Sequence, residues 1–128
     1  MENLKILATR STPEIVFDAG ARILSMKGES YPEHTAQFFE PIVKWIRDFL
    51  SGQDQEFLLE IDLKYFNSSS SRILYTIFEM LEEASKSGKL ITVNWCFDED
   101  NEIAEEHGEE FKEDLHYLNF NLVSRESE

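Results

Sequence analysis

Four consecutive serines, Ser68 to Ser71, stand between Tyr65-Phe66-Asn67 and Arg72. Hydroxyl groups at that density can do two kinds of chemistry. They can accept hydrogen bonds from the unpaired N–H groups of a helix's first turn, as Ser, Asn and Asp commonly do. They can also receive a phosphoryl group. A phosphoserine carries about −1.5 to −2 charges at pH 7, and a helix N-terminus seats such a charge through its dipole and free N–H groups. Lys64 and Arg72 flank the stretch and would partly neutralise it. Fold stability would then change little while the local surface potential changes greatly, which makes a workable binding switch. Cap and switch ask for the same geometry, so these residues alone leave both open.

No other part of the chain offers catalytic machinery. Gly-rich phosphate loops and a Gly-x-Ser-x-Gly elbow are absent. His34, His107 and His116 stand apart and outside any His-Glu-x-x-His pattern, so surface or capping roles are expected. Asp98, Asp100, Glu102 and Glu109 match ligand positions of a calcium loop, but Ile103 occupies the place that needs glycine. A solvated helix face is the expectation there, and also for Glu105-Glu106 and Glu109-Glu110. Arg10, Arg22, Arg47, Arg72 and Arg125 are scattered and form no clamp for a cyclic dinucleotide. The protein reads as non-enzymatic, with no cofactor and no metal.

The formal charge of −14 argues against nucleic acid and against an anionic membrane surface. It suits basic patches on protein partners. No apolar run approaches membrane-spanning length, so no membrane insertion is expected and the cytoplasm is the expected location. The lone Cys96 sits in an apolar run and reads as a small core residue.

Elements must position the serines. Residues 1–13 read as an irregular or edge-strand entry. Glu14 to Asp18 and Ala21 to Lys27 read as a hairpin joined by Ala19-Gly20, with Gly28 ending the second strand. Ser30 and Glu33 match a capping box for a helix carrying Phe38, Phe39, Ile42, Val43, Trp45, Ile46, Phe49 and Leu50. Pro41 should kink or divide that helix near Glu40. Phe57, Leu59, Ile61 and Leu63 alternate as a strand. After the serine turn, Ile73, Leu74, Ile77, Phe78, Leu81 and Ala84 mark a helix, with Gly88 following its end. Leu90 to Phe97 is a strand. An acidic helix from about Asn101 to Asp114, with Ile103 and Phe111 as apolar anchors, and a strand over 118–123 complete the chain. Alternating units predict a single α/β domain over residues 1–128: a mixed, mostly parallel sheet led by an antiparallel hairpin and packed with amphipathic helices.

Several motifs in one order carry a resemblance over nearly the whole chain. They are Ser11-Thr12-Pro13-Glu14-Ile15, Gly28-Glu29-Ser30-Tyr31-Pro32-Glu33, Phe38-Phe39 with Pro41-Ile42 and Trp45, and Leu63-Lys64-Tyr65-Phe66-Asn67-Ser68-Ser69-Ser70. Leu81-Glu82-Glu83-Ala84, Val93-Asn94-Trp95 and Glu106-His107-Gly108-Glu109-Glu110-Phe111 continue it. The chain resembles the SiaC family of bacterial regulatory phosphoproteins. The resemblance implies a STAS-like fold, of the anti-sigma-factor-antagonist type. It implies phosphorylation by a dedicated Ser/Thr kinase and removal of the phosphate by a PP2C-type phosphatase. It further implies that the unphosphorylated form binds and activates a diguanylate cyclase (a GGDEF protein), raising cyclic di-GMP and affecting aggregation and biofilm formation. The acceptor maps to Ser68, where the family often has threonine, and the neighbouring Ser69 and Ser70 are alternative acceptors. Tyr65, Asn67, Ser69 and Arg72 would shape the turn and touch partners, with Tyr31, Pro32 and Glu33 as a second contact edge. An anti-sigma-factor antagonist acting by partner switching is the alternative function.

Overall fold

The computed structural model describes residues 1–53 and 56–126. Along them run β1 (Leu4–Ile6), β2 (Glu14–Asp18), β3 (Ile23–Ser30), α1 (Thr35–Leu50), β4 (Glu56–Phe66), α2 (Ser68–Lys86), β5 (Leu90–Asp98), α3 (Glu102–Glu113) and β6 (Asn119–Arg125). The strands form one six-stranded sheet in sequence order. The first two pairings are antiparallel and the last three parallel. This is the mixed α/β fold, opened by an antiparallel hairpin, that the alternation of elements predicts.

Each parallel step is bridged by one helix. Crossovers of one hand that advance in one direction place all their helices on the same face. Burial along the strands agrees. Phe57, Leu59, Ile61 and Leu63 of β4 and Ile91, Val93, Trp95 and Phe97 of β5 are buried, whereas Glu60, Asp62, Asn94 and Cys96 lie half-buried on the open face. Cys96 is therefore no core residue, because its place in the alternation points it away from the helices. On that open face the Arg125 guanidinium pairs with Asp62 through both terminal nitrogens and donates from Nε to Asp98 at 2.7 Å, tying β4, β5 and β6 together.

Further local expectations are corrected. The hairpin loop runs from Ala19 to Arg22, since Asp18 still pairs with Ile23; Arg22 takes the left-handed φ of 60°. Gly28 does not end β3. It sits inside the strand at φ 127°, where the ladder to β4 shifts register. Gly28 pairs with Leu63 and Glu29 with Tyr65, so Lys64 is an extra, unpaired residue of β4. That bulge reverses the alternation: Leu63 and Phe66 are both buried, while Lys64 and Tyr65 between them are exposed.

Pro41 does not divide α1; one helix spans Thr35–Leu50. Pro41 and Gln37, whose carbonyl loses its donor, are both exposed, so water can hydrate that carbonyl. The buried stripe of Phe39, Ile42, Trp45, Ile46 and Phe49 holds the helix on the sheet. Ser30 is likewise no helix cap. It is the buried last residue of β3, and α1 starts behind His34, whose side chain makes no capping bond.

α3 packs through Ala104, Gly108 and Phe111. Ile103, expected as an anchor, is 68% exposed. The close approach of α3 is set by Gly108: a Cβ there would lie 2.5 Å from the Trp95 ring. Trp95 is in turn ringed by Phe66, Phe78, Phe111 and Phe120, and its Nε1 donates to the Ala104 carbonyl at 2.9 Å. No helix among the described residues is long and apolar enough to cross a membrane.

Candidate functional site

The candidate site lies at the junction of β4 and α2. β4 delivers the chain to Phe66, and Asn67 breaks away in extended conformation, φ −88° and ψ 175°. Its Oδ1 accepts the Ser70 N–H at 2.9 Å. The cap is therefore an asparagine, not a serine. All four serines belong to the first turn of α2, which begins five residues ahead of the apolar stripe at Ile73. Asparagine supplies the acceptor that this turn needs, so the stripe did not have to start before the helix could.

A helical first turn points successive side chains in different directions, and the serines separate accordingly. Ser70 is fully buried. Its hydroxyl donates to the Ser30 carbonyl at 3.1 Å and lies 2.7 Å from the Ser30 hydroxyl. Since Ser70 Oγ has one proton, committed to that carbonyl, it accepts from Ser30 Oγ. The Asn67 N–H reaches the same Ser30 carbonyl at 3.0 Å. The end of β3 is thus stitched to the start of α2 by a buried polar knot. A phosphate on Ser70 would destroy that knot and bury a dianion. Ser69 and Ser71 are half-buried, and of the four only Ser68 is exposed.

Cationic and aromatic residues flank Ser68 in the sequence. Arg72 lies four residues on, on the same helix face, and Lys64 sits at the bulge; both are exposed. Neither joins an ion pair among the described residues. Tyr31 and Tyr65 meet edge to face with centroids 5.7 Å apart. The structure therefore brings Tyr31, Tyr65, Asn67, Ser68 and Arg72 to one end of the sheet, through the Ser30–Asn67 bond and the bulge. Pro32 is buried and Glu33 is exposed beside it.

One neighbour was missed from the sequence. Asn101, the cap of α3, accepts the Ala104 N–H at 3.1 Å and donates from Nδ2 to the Lys64 carbonyl at 3.1 Å. It draws the start of α3, with Ile103 in its first turn and His107 in its second, against Tyr65 and Phe66. An Asn-Glu-Ile start to an acidic helix announces a cap but not its second partner, which is 37 residues away.

Residues 6–125 match the model of a family described as SiaC family regulatory phosphoprotein. SiaC of Pseudomonas aeruginosa superposes with a TM-score of 0.90 at 34% identity, over 98% of this chain and 100% of that one. A chain in the crystal structure of the diguanylate cyclase SiaD in complex with its activator SiaC, from the same organism, superposes with a TM-score of 0.91 at 36% identity, over 95% and 99%. An uncharacterized protein of Pseudomonas aeruginosa strain UCBPP-PA14 is 38% identical over 117 residues, 91% of this chain and 93% of its own length.

Proposed function

The chain belongs to the SiaC family of regulatory phosphoproteins, and from that membership we propose that it is a non-enzymatic binding module switched by phosphorylation of Ser68. In its unphosphorylated form it binds and activates a diguanylate cyclase; a Ser/Thr kinase and a PP2C-type phosphatase set its state. The output is cyclic di-GMP and, through it, aggregation and biofilm formation.

The observation that carries this reading is the sorting of hydroxyls in one helical turn. Ser68 is open to a kinase, whereas Ser70 is buried and hydrogen-bonded. The exposed Arg72, one turn on, can pair with a phosphate on Ser68, and the first-turn N–H groups favour it. The relative SiaC is the activator of the cyclase SiaD in their complex, which supports a cyclase as the target here.

The test is phosphorylation with the cognate kinase and ATP, followed by mapping of the phosphate and assay of a purified GGDEF cyclase. Ser68→Ala is expected to abolish incorporation and to leave the cyclase permanently activated. Undiminished incorporation at Ser69 or Ser71 would move the switch off Ser68. Capture of an anti-sigma factor in place of a cyclase would replace the target.

A further inference from the structure

We propose that the outer edge of β6 is a second docking surface, and that its occupant is an extended basic segment of a partner protein, added to the sheet as a further strand. The proposal is independent of the Ser68 switch, which lies where β4 meets α2. The sheet has two edges, β1 and β6. β6 pairs with β5 on one side, and no strand among the described residues pairs with its other side. Alternate residues of such a strand turn N–H and C=O groups outward, where an extended peptide can pair with them.

The two edges differ in how they are guarded. β1 is three residues long and exposes Lys5 at its centre. Short length and a lysine both discourage pairing at an edge. β6 runs for seven residues, and Asn119-Phe120-Asn121-Leu122-Val123-Ser124 holds neither a charge nor a proline. Arg125, its one charged residue, is drawn to Asp62 and Asp98 across the open face instead of toward the edge. In a chain with 30% charged residues, 115–124 is the longest run without Asp, Glu, Lys or Arg. That run leads into and fills the unguarded edge.

Charge and spacing name the occupant. α3 lies over β6, since a Cβ on Gly108 would stand 2.6 Å from Leu122. One flank of α3 faces its neighbours in the fold, with His107 on Phe66 and Asp114 bonded to Tyr75 of α2. With about 3.6 residues per turn, the opposite flank carries Glu105, Glu109 and Lys112 and overhangs the edge. Neither Glu105 nor Glu109 joins an ion pair among the described residues. Four residues of helix advance about 6 Å, and two residues of strand about 6.6 Å. A strand with Lys or Arg at every second position on its helix side therefore matches the two carboxylates. The alkyl stems would cover the half-buried Leu122 while the charged heads reach Glu105 and Glu109. On the open face, the residues between would lie beside Val123, which is 38% exposed and favours β-branched neighbours. A second copy of this chain fits poorly. It brings another −14 charges, and its own β6 presents no cation to Glu105 and Glu109.

The experiment titrates the full chain with an end-blocked peptide, Lys-Val-Lys-Val-Lys-Val-Lys, and follows amide hydrogen exchange. Exchange is expected to slow within residues 119–125. The same peptide N-methylated at alternate residues cannot donate to the edge and is expected to lose binding. A counterpart with Glu in place of Lys is expected to bind at least about tenfold more weakly. The double variant Glu105→Gln, Glu109→Gln is expected to weaken the lysine peptide about threefold to tenfold. Unchanged exchange in 119–125, or equal binding of the N-methylated peptide, overturns the edge as a docking surface. Equal binding of the glutamate peptide, or a double variant that binds as wild type does, overturns the basic occupant. Self-association that protects 119–125 without peptide assigns the edge to a second copy and overturns the proposal.

Discussion

At the level of single residues, the sequence marks a serine-rich turn before a helix but does not say what each serine does. The Asn-Ser-Ser-Ser-Ser string contains a cap, an exposed hydroxyl and a buried hydroxyl, and composition cannot sort them. Sorting requires knowing that Ser30, forty residues earlier, ends its strand beside this turn. Gly108 is a second case of hidden necessity. An exposed helical glycine replaced by alanine gains up to about 1 kcal/mol from propensity. Here the new Cβ would stand 2.5 Å from Trp95 and 2.6 Å from Leu122. The indole cannot yield easily, being hydrogen-bonded through Nε1 and enclosed by aromatic rings. Overpacking costs about 1–3 kcal/mol, so the penalty should win. Gly108→Ala is expected to lower the urea midpoint, and a midpoint at or above wild type would show that the α3–Trp95 contact is slack.

Elements follow the periodic pattern closely, and depart from it where one residue changes the geometry. The strands from Phe57 and from Leu90, and the helical stripes of α1 and α2, are readable because one face of each is buried. The bulge at Lys64 is not, since a single extra residue looks like a slightly longer strand. Pro41 misled in the opposite direction: its cost depends on whether the orphaned carbonyl meets water, which the sequence does not state. Long-range clasps between elements were also invisible. Glu82 of α2 accepts the N–H groups of His116, Tyr117 and Leu118 at 2.8–2.9 Å, fixing the approach to β6. Burial alone would raise its pKa, but those three bonds outweigh it and hold the carboxyl below its ordinary value. A carboxyl depressed in the folded state contributes stability that is fully present above its unfolded pKa, about 4.3, and is lost as pH falls through the folded value. Glu82→Gln should therefore cost on the order of 1 kcal/mol at pH 7, because the group stays partly hydrated. The gap to wild type should close toward pH 3. A gap that stays constant over that range would mean that the charge on Glu82 is not what binds the loop.

Across the whole molecule, the proposed switch sits at one end of the sheet. The helices bury one face, and the Asp62–Arg125–Asp98 network crosses the open face. The C-terminal ends of β3 and β4 gather the tyrosines, the serine turn and the start of α3. The rigid part of this end is the Ser30–Ser70–Asn67 knot, while Ser68 stands outside it. A charge placed on Ser68 therefore meets solvent, the dipole of a 19-residue helix and Arg72, and disturbs no packed group. The switch should act on the surface and spare the fold. For Ser68→Asp, the helix-end effect is at most about 1 kcal/mol. That corresponds to a Tm within roughly 2–8 °C of wild type, on the side of stabilisation because an anion at a helix N-terminus is favourable. The same variant should lose cyclase binding. Ser70→Asp, by contrast, places its charge inside the knot and should fall far below wild type in Tm. If both aspartates lowered Tm equally, phosphorylation would act by loosening the turn, and the division between an exposed switch and a buried support would be wrong.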